Sequence, residues 1–470
     1  MPETAPNSSK GRELARDLTV SHAGAIVVGT IIGSGIFLVP AEMMQAVGSA
    51  GVVYLAWIVG GLLSMFGALT YSELAAMKPQ AGGEYVYMRD GYGPLGGFLY
   101  AWTYFVIAKP GSMASIVTGL VRILSNLNAL QFLGETRMDG WHPTVPGQAV
   151  AIGAIVLISF INYIGVKKAG EFQLFFTVLK VALILAIVGM GFAYAKGSLG
   201  NFGTHYSLSR GGMAGFMAAL LASLWAYDGW NLVTTVSAEI RDPQRSLPRA
   251  LIAGVATVAG LYILVNAAVQ YVIPADMIAR SSSPALDAIR WAGHGILTVV
   301  LIAMALAMLA TLNGSTMTGA RVPFAVARDG YFFSGLAKVH ERFRTPSTAI
   351  VLQAVLAIAL LLFAGSFQQL FSLTLFAEWL FYLLVTSTVF IFRRREPDAP
   401  RPYRVWGYPA VPVVFIAASA VLLYYTFAAN VRNSLLGCGV ILAGIPVYLV
   451  FRGKREARRE AQGARRKAQG

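Results

Sequence analysis

A chain of 470 residues in which 56% of side chains are hydrophobic and only 13% charged is not a soluble enzyme; with a mean hydropathy of +0.62 it reads as a polytopic membrane protein. The net charge of +15 would suggest nucleic acid in a soluble chain, but here the cations sit mostly in short loops and tails, where they report topology. The single cysteine, Cys438, excludes an intrachain disulfide.

The first 20 residues are polar, and the apolar run that follows is too long for a signal peptide and lacks a small-residue cleavage site, so no cleavable leader is expected. Twelve apolar stretches follow, at about 22–45, 50–76, 94–125, 147–165, 172–195, 213–239, 249–273, 293–325, 347–364, 368–392, 410–428 and 433–451. The third and eighth are long enough to imply tilt or extension beyond the hydrocarbon. Residues 1–20 form an N-terminal segment, 21–452 the membrane domain, and 453–470 a basic tail. The tail, KREARREAQGARRKAQG, is expected to be disordered and to touch anionic lipid.

In the first stretch, GTIIGSGIF (Gly29 to Phe37) places three glycines and a serine where a membrane helix should be continuous. Free backbone groups at membrane depth are tolerated only where they line a protein cavity, and exposed half-helix ends can bind a small zwitterion there. The N–H groups of Ser34, Gly35 and Ile36 open the second half-helix and favour a carboxylate; carbonyls near Thr30 and Ile31 close the first and accept from an ammonium. The competing reading is that Gly29, Gly33 and Gly35 form a small-residue packing surface.

Three later stretches carry charges at depth, where an ionisable group is a functional candidate by default. In the fifth, Lys180 lies inside FFTVLKVALILAIVGM; the alternative is that it snorkels to the interface. In the sixth, Ala218 to Ile240, Asp228 and Gly229 fall near the centre and mark a second break. Carbonyls around Trp225, Ala226 and Asp228 there can share an ammonium; Tyr227 and Trp230 read as packing, and Asn231 could bond freed backbone groups. In the tenth, Glu378 within FAEWLFY is either a site for a proton or a substrate cation, or a structural hydrogen bond across the bundle; the structural reading is favoured. Broken stretches one and six, an odd number of steps apart, enter the membrane in opposite senses, the signature of a five-plus-five inverted repeat.

Basic residues fix the orientation. One set of loops and tails holds Lys10, Arg16, Lys78, Arg89, Lys167, Lys168, Arg241, Arg245, Arg249, Arg321, Arg328 and Arg393 to Arg395, with many more; the other holds only Arg137, Lys196, Arg210, Arg280, Arg290 and Arg432. Both termini are therefore expected in the cytoplasm. The histidines His22, His142, His205, His294 and His340 lie in loops or near the ends of the stretches, so neither a catalytic pair nor a metal site is expected at depth.

Five segments then carry a family resemblance: GTIIGSGIF; SELAAMKPQAGGEYVYMRDGYGP; LWAYDGWN followed by EIRDPQRSLPRA; ARDGYFFSGLAKVHERFRTP; and RPYRVWGYP. In this order they resemble the amino acid–polyamine–organocation superfamily, and AYDGWN with AKPGS (Ala108 to Ser112) is similar to its L-type amino acid transporter branch. The resemblance implies an all-α polytopic membrane protein of twelve transmembrane helices, ten in a leucine-transporter-like inverted repeat with helices 1 and 6 broken. It implies that Thr30, Ile31, Gly33, Ser34, Gly35, Ile36, Trp225, Ala226, Asp228 and Gly229 surround the substrate, with Trp225 as an aromatic gate. It implies that Lys180 takes the place of a sodium ion, against carbonyls near Gly33 and hydroxyls such as Ser315. Lys109 matches a basic residue of the branch and, beside Pro110, is expected to stabilise a helical irregularity. Asp228 either reads a cationic side chain or props the broken helix.

The expected function is sodium-independent exchange of neutral L-amino acids across a plasma membrane of bacterial inner-membrane type, without cofactor or metal. The alternatives are a carrier of cationic amino acids, a proton-coupled carrier, or a sensor built on a carrier fold. The expected partners are an L-amino acid and lipid, not nucleic acid. Residues 126–146 hold no cysteine, so the disulfide-linked helper subunit of mammalian relatives is not expected.

Overall fold

A computed structural model describes residues 14–467 apart from 34, 138–139, 282, 364–366 and 430. The first apolar stretch divides as its glycines suggest, into α1 (Val20–Ile31) and α2 (Gly35–Val47), with Ile32 extended between them at φ −72°, ψ 94°. Thr19 opens α1 in a reciprocal cap with His22. Next come α3 (Ala50–Met77) and α4 (Glu84–Thr103). A π turn over Tyr104–Ala108 joins α4 to α5 (Lys109–Leu124). That irregularity directly precedes Lys109 and Pro110, because proline has no N–H to continue the ladder. The α4 helix begins at Glu84, about three turns ahead of its apolar run, and Gly93, at φ 88°, kinks it before Pro94.

An antiparallel hairpin, β1 (Gly134–Arg137) and β2 (Gly140–Pro143), departs from a purely helical reading; it pairs Glu135 with His142 and Thr136 with Trp141. Then come α6 (Val145–Tyr163), α7 (Val166–Phe192) and α8 (Gly212–Ala226). After α8 the chain turns at Tyr227–Gly229, with Gly229 at φ 103°, and continues as a tight 3₁₀ segment over Trp230–Glu239. The long α9 (Pro243–Val272) precedes two short helices, α10 (Ala275–Arg280) and α11 (Pro284–Asp287). The rest is α12 (His294–Gly319), α13 (Arg321–Arg328), α14 (Ser347–Phe363), α15 (Phe367–Arg395), α16 (Ala410–Ala429) and α17 (Val431–Lys467).

Among the described residues, ten helical segments are long and apolar enough to cross a membrane, and the chain is an integral membrane protein. The two expected stretches outside that set are the sixth, which is broken after the 15 residues of α8, and the ninth, where α14 is an apolar helix of 17 residues. The basic tail is a correction. Instead of disorder, α17 runs on to Lys467, because Ala, Arg, Glu, Lys and Gln are strong helix formers and Arg452 pairs with Glu456 one turn on.

The α1 helix sits at the centre, against α7, α9 and α12, while α2 lies along α8 and α3 along α8 and α9. Charged residues of the family-like segments tie distant helix ends together. Glu73, 1% exposed, is held bidentately by Arg393 at 2.9 and 2.6 Å, and accepts the Val405 N–H at 2.7 Å. Arg89 and the Tyr85 hydroxyl meet on Asp329. Arg321 and Glu239, both wholly buried, pair through two bonds of 2.6 and 2.9 Å, and the guanidinium also donates to the Met317 carbonyl at 2.5 Å.

Breaking such a pair strands one charge, at a cost of about 3–5 kcal/mol, whereas apolar replacement of both partners is often neutral. Arg321→Met is therefore expected to lower the melting temperature of the detergent-purified protein sharply, and Arg321→Met with Glu239→Leu to recover part of it. A single variant that melts like the parent would show that the pair adds nothing to stability.

Candidate functional site

The two backbone breaks lie side by side. The Thr30 hydroxyl is 2.6 Å from the Ile26 carbonyl and 2.9 Å from the Gly229 carbonyl, so the end of α1 reaches the turn after α8. Gly229 needs its glycine twice: its φ is left-handed, and a Cβ there would lie 3.2 Å from the Thr30 carbonyl carbon. The Tyr262 hydroxyl, from α9, sits 3.1 Å from the Ile31 carbonyl and 2.9 Å from the Ala226 carbonyl, bridging both breaks.

Lys180, from α7, is 1% exposed and does not snorkel. Its ammonium donates to the Gly29 carbonyl at 2.8 Å, the Ile32 carbonyl at 2.5 Å and the Thr311 hydroxyl at 2.9 Å. The neighbourhood is the expected one, but the hydroxyl is not. Ser315 makes no side-chain hydrogen bond; Thr311, one turn earlier on α12, supplies the contact, because the helix crosses α1 at that level. Thr311 and the carbonyls of Gly29 and Ile32 thus tie α1, α7 and α12 around one cation.

Between the breaks lies a cavity of about 110 Å³. About 10–15 Å³ of this measure admits one water, so the space suits a small solute. Thr30, Ile31, Gly33 and Gly35 line one side, and Trp225, Ala226 and Asp228 the other. Ser112, Ser115 and Ile116 of α5, Met308 and Thr311 of α12, and Glu378 of α15 complete it. Seven expected residues therefore meet around one space. Ser34 lies outside the described residues. Ile36 turns its side chain into the apolar core and is wholly buried, so only its backbone can face the break. Gly229 supports the cavity from behind, against Thr30. The packing alternative holds for Gly29, where Gln173 and Thr177 of α7 leave no room for a Cβ; at Gly33 the nearest atom to such a Cβ is 3.9 Å away.

Asp228 accepts the Tyr382 hydroxyl at 2.6 Å. Contrary to the sequence expectation, the Asn231 side chain does not bond freed backbone groups. Its amide donates to Glu84 at 2.9 Å, and its carbonyl oxygen is 3.2 Å from the Tyr382 hydroxyl. Tyr71 and Tyr100 also donate to Glu84, each at 2.7 Å, so this buried acid carries three donors. Lys109 is 3% exposed, with its ammonium 5.2 Å from the Tyr104 ring centre and within the field of Glu378, Asp228 and Glu84. Tyr227 and Trp230 pack as read: Tyr227 against Trp57 and Tyr262, Trp230 against Tyr71, Tyr382 and Phe415.

Sequence reasoning missed Glu84, Tyr262, Thr311 and Tyr382. Glu84 stood inside a quoted segment, and its position after two glycines at a helix start could have flagged it. A tyrosine or threonine within an apolar run gives no signal of its own, since such residues bond locally in many membrane helices.

A family model described as amino acid permease matches residues 18–451. The serine/threonine exchanger SteT of Bacillus subtilis is 32% identical over 439 residues, covering 93% of this chain and 96% of that one. The human b(0,+)-type amino acid transporter 1 is 29% identical over 446 residues, 94% of this chain and 89% of its own. The human cystine/glutamate transporter is 28% identical over 448 residues, 95% and 87% respectively.

The Lys180 contacts give a direct expectation. Lys180→Met keeps the length of the side chain and removes the donor, leaving two α1 carbonyls without their partner; hydrogen bonds to a charged group are worth about 1.5–3 kcal/mol. The variant is expected to melt at a lower temperature in detergent than the parent. Identical melting curves would show that the ammonium does not hold the break.

Proposed function

The chain belongs to the amino acid permease family, and we propose that it exchanges neutral L-amino acids across a plasma membrane without sodium, by alternating access. It is a transporter and not an enzyme. The observation that carries the sodium-independent reading is Lys180, whose ammonium already occupies the carbonyls at the end of α1 where a coupling cation would be held. Exchange is supported by the relative named as a serine/threonine exchanger, and a preference for neutral substrates by that same name and by the compact cavity.

In this reading the substrate carboxylate meets the first N–H groups of α2, at Gly35 and Ile36, which have no acceptor within their own helix, and Ser34, outside the described residues, is proposed to join them. Its ammonium meets carbonyls at Thr30, Ile31 and Gly33 and, across the cavity, at Trp225, Ala226 and Asp228. The Trp225 ring closes over it, and Gly229 sets the turn. The finer architecture is part of the proposal. Broken α8 and short α14 complete twelve crossings, with helices 1 and 6 related by a five-plus-five inverted repeat. Residues 21–452 form the carrier, and 1–20 and 453–470 lie on the cytoplasmic face of a bacterial inner membrane, where the cationic tail meets anionic lipid. No disulfide-linked helper is needed, since 126–146 has no cysteine.

Proteoliposomes loaded with one amino acid and tested against all twenty outside read the function directly. Uptake of labelled alanine or serine is expected to need an amino acid inside and to be unchanged when choline replaces sodium. A steep sodium requirement would refute the role given to Lys180. A protein that binds but exchanges nothing would be a sensor. Gly35→Leu tests the site: a Cβ there already lies 3.1 Å from Ala226, so a leucine fills the cavity. The variant is expected to insert into the membrane and to lose substrate binding, read as the loss of ligand-induced thermal stabilisation.

A further inference from the structure

Three carboxyl groups and one ammonium are gathered beside the cavity, and their hydrogen bonds divide them. Glu84 accepts from Tyr71, Tyr100 and Asn231. An acid receiving three donors is arranged as a carboxylate. Asp228 accepts from Tyr382. Glu378 differs. Among the described residues no side chain donates a hydrogen bond to it, yet it lines the central cavity and also a second, smaller one. The smaller cavity is about 20 Å³, room for about one water, and Glu84, Tyr104, Asn231 and Tyr382 share its wall. The Tyr104 residue is 5% exposed, and its hydroxyl has no partner at bonding distance.

The charges that face Glu378 are Lys109 on α5, Asp228 in the turn after α8, and Glu84 on α4; Tyr104 of the π turn and Tyr382 of its own helix are the neutral titratable groups in its field. Lys180 is committed on the far side of the α1 break. With Glu84 and Asp228 ionised, Lys109 balances one of them. A second uncompensated negative charge, on Glu378 at the half-buried cavity wall, would be repelled by Asp228 and Glu84. A neutral amino acid adds no net charge, so it leaves Glu378 with its proton. A lysine or arginine substrate brings a side-chain cation, which replaces that proton.

We propose that Glu378 is the specificity-determining residue of this carrier, holding a proton beside a neutral substrate and giving it up to pair with a cationic side chain. The step balances. The O–H bond of the Glu378 carboxyl breaks, the proton leaves through the open cavity, and the substrate's ammonium or guanidinium takes its place against the carboxylate. One consequence is fixed by mass balance. When arginine enters against alanine leaving, the carrier returns outward with its Glu378 proton, so one proton leaves the vesicle for each arginine that enters, and the exchange is electroneutral.

The inference rests on the exchange reading above, so the test separates the two. Proteoliposomes of the unaltered protein, loaded with alanine and the pH dye pyranine, are given arginine or alanine outside between pH 5.5 and 8.5. Arginine uptake is expected with a rise in internal pH, and alanine uptake with none. Apparent affinity for arginine should rise by up to about tenfold per pH unit while Glu378 is still protonated, and that for alanine should stay flat. In Glu378→Gln the ratio of arginine to alanine uptake should fall at least about tenfold and lose its pH dependence. Arginine exchange without a lumenal pH change, a pH-independent arginine affinity, or no arginine uptake by protein that exchanges alanine would each overturn the role of Glu378 and leave the exchanger standing. Failure of alanine exchange would remove the exchanger itself. The dye measurement needs no variant, so it decides the matter even if Glu378→Gln does not fold.

Discussion

Backbone groups freed inside a membrane must find partners within the protein, and the break between α1 and α2 is where this constraint is tightest. The solution is local and specific. The Lys180 ammonium takes the Gly29 and Ile32 carbonyls, and the Tyr262 hydroxyl reaches the Ile31 and Ala226 carbonyls. Each partner comes from a different long helix, α7 or α9, so the central helix can be interrupted only because its neighbours are positioned to the ångström. The Thr30 contact with Gly229 then couples this break to the one after α8. Whatever moves one broken segment must move or release the other, a mechanical requirement for any carrier that opens to each side in turn.

Much of this was legible in the sequence because it violates the ordinary grammar of membrane helices. Three glycines and a serine at mid-depth, an Asp-Gly pair in an apolar run and a lone lysine far from the interface each cost free energy in a plain helix, so each had to be explained. The structure brings Thr30, Ile31, Gly33, Gly35, Trp225, Ala226 and Asp228 around one cavity and turns Lys180 inward. What could not be read were partners that break no rule. Tyr262, Tyr382 and Thr311 look like ordinary residues of apolar helices, and only tertiary packing decides which carbonyl or carboxylate they face. The choice between Thr311 and Ser315 is one helical turn, below what a span-level reading resolves. The hairpin at residues 134–143 was missed for a similar reason: it is short, lies between two helices and shows little alternation. The tail was misread because low hydrophobicity was weighed over helix propensity, which its Ala, Arg and Glu content satisfies.

The segments that signalled the family do different work from the cavity. Glu73, Arg89, Glu239 and Asp329 stand in those segments, and their pairs tie α3 to α15 through Arg393, α4 to the end of α13, and α13 to the segment after α8 through Arg321. Leu18, ahead of α1, bridges in parallel to Ile240, and the Arg241 N–H donates to the Leu18 carbonyl at 2.8 Å. These links gather the N-terminal segment and the end of the broken sixth stretch into one clasp. Ion pairs suit such a clasp better than apolar packing does: they hold one register strongly and lose little when water enters and solvates both partners. Apolar surface, once exposed, has no such compensation.

The distribution of charge around the cavity follows from the same economy of partners. Lys180 is spent on backbone carbonyls, so the α1 side presents the cavity with dipoles and no free ion. The opposite wall holds Asp228 and Glu378, with Glu84 and Lys109 close behind. A zwitterion fits this asymmetry whichever side chain it carries, because its own two charges are met by helix ends. Discrimination is left to the acidic wall. There Asp228 and Glu84 are already engaged by hydroxyls and an amide, whereas among the described residues no side chain donates to Glu378. In the proposed mode of binding, recognition of the backbone and recognition of the side chain are thus carried by different parts of the fold. Substitutions on α15 would in that mode change which amino acid is accepted without disturbing the break.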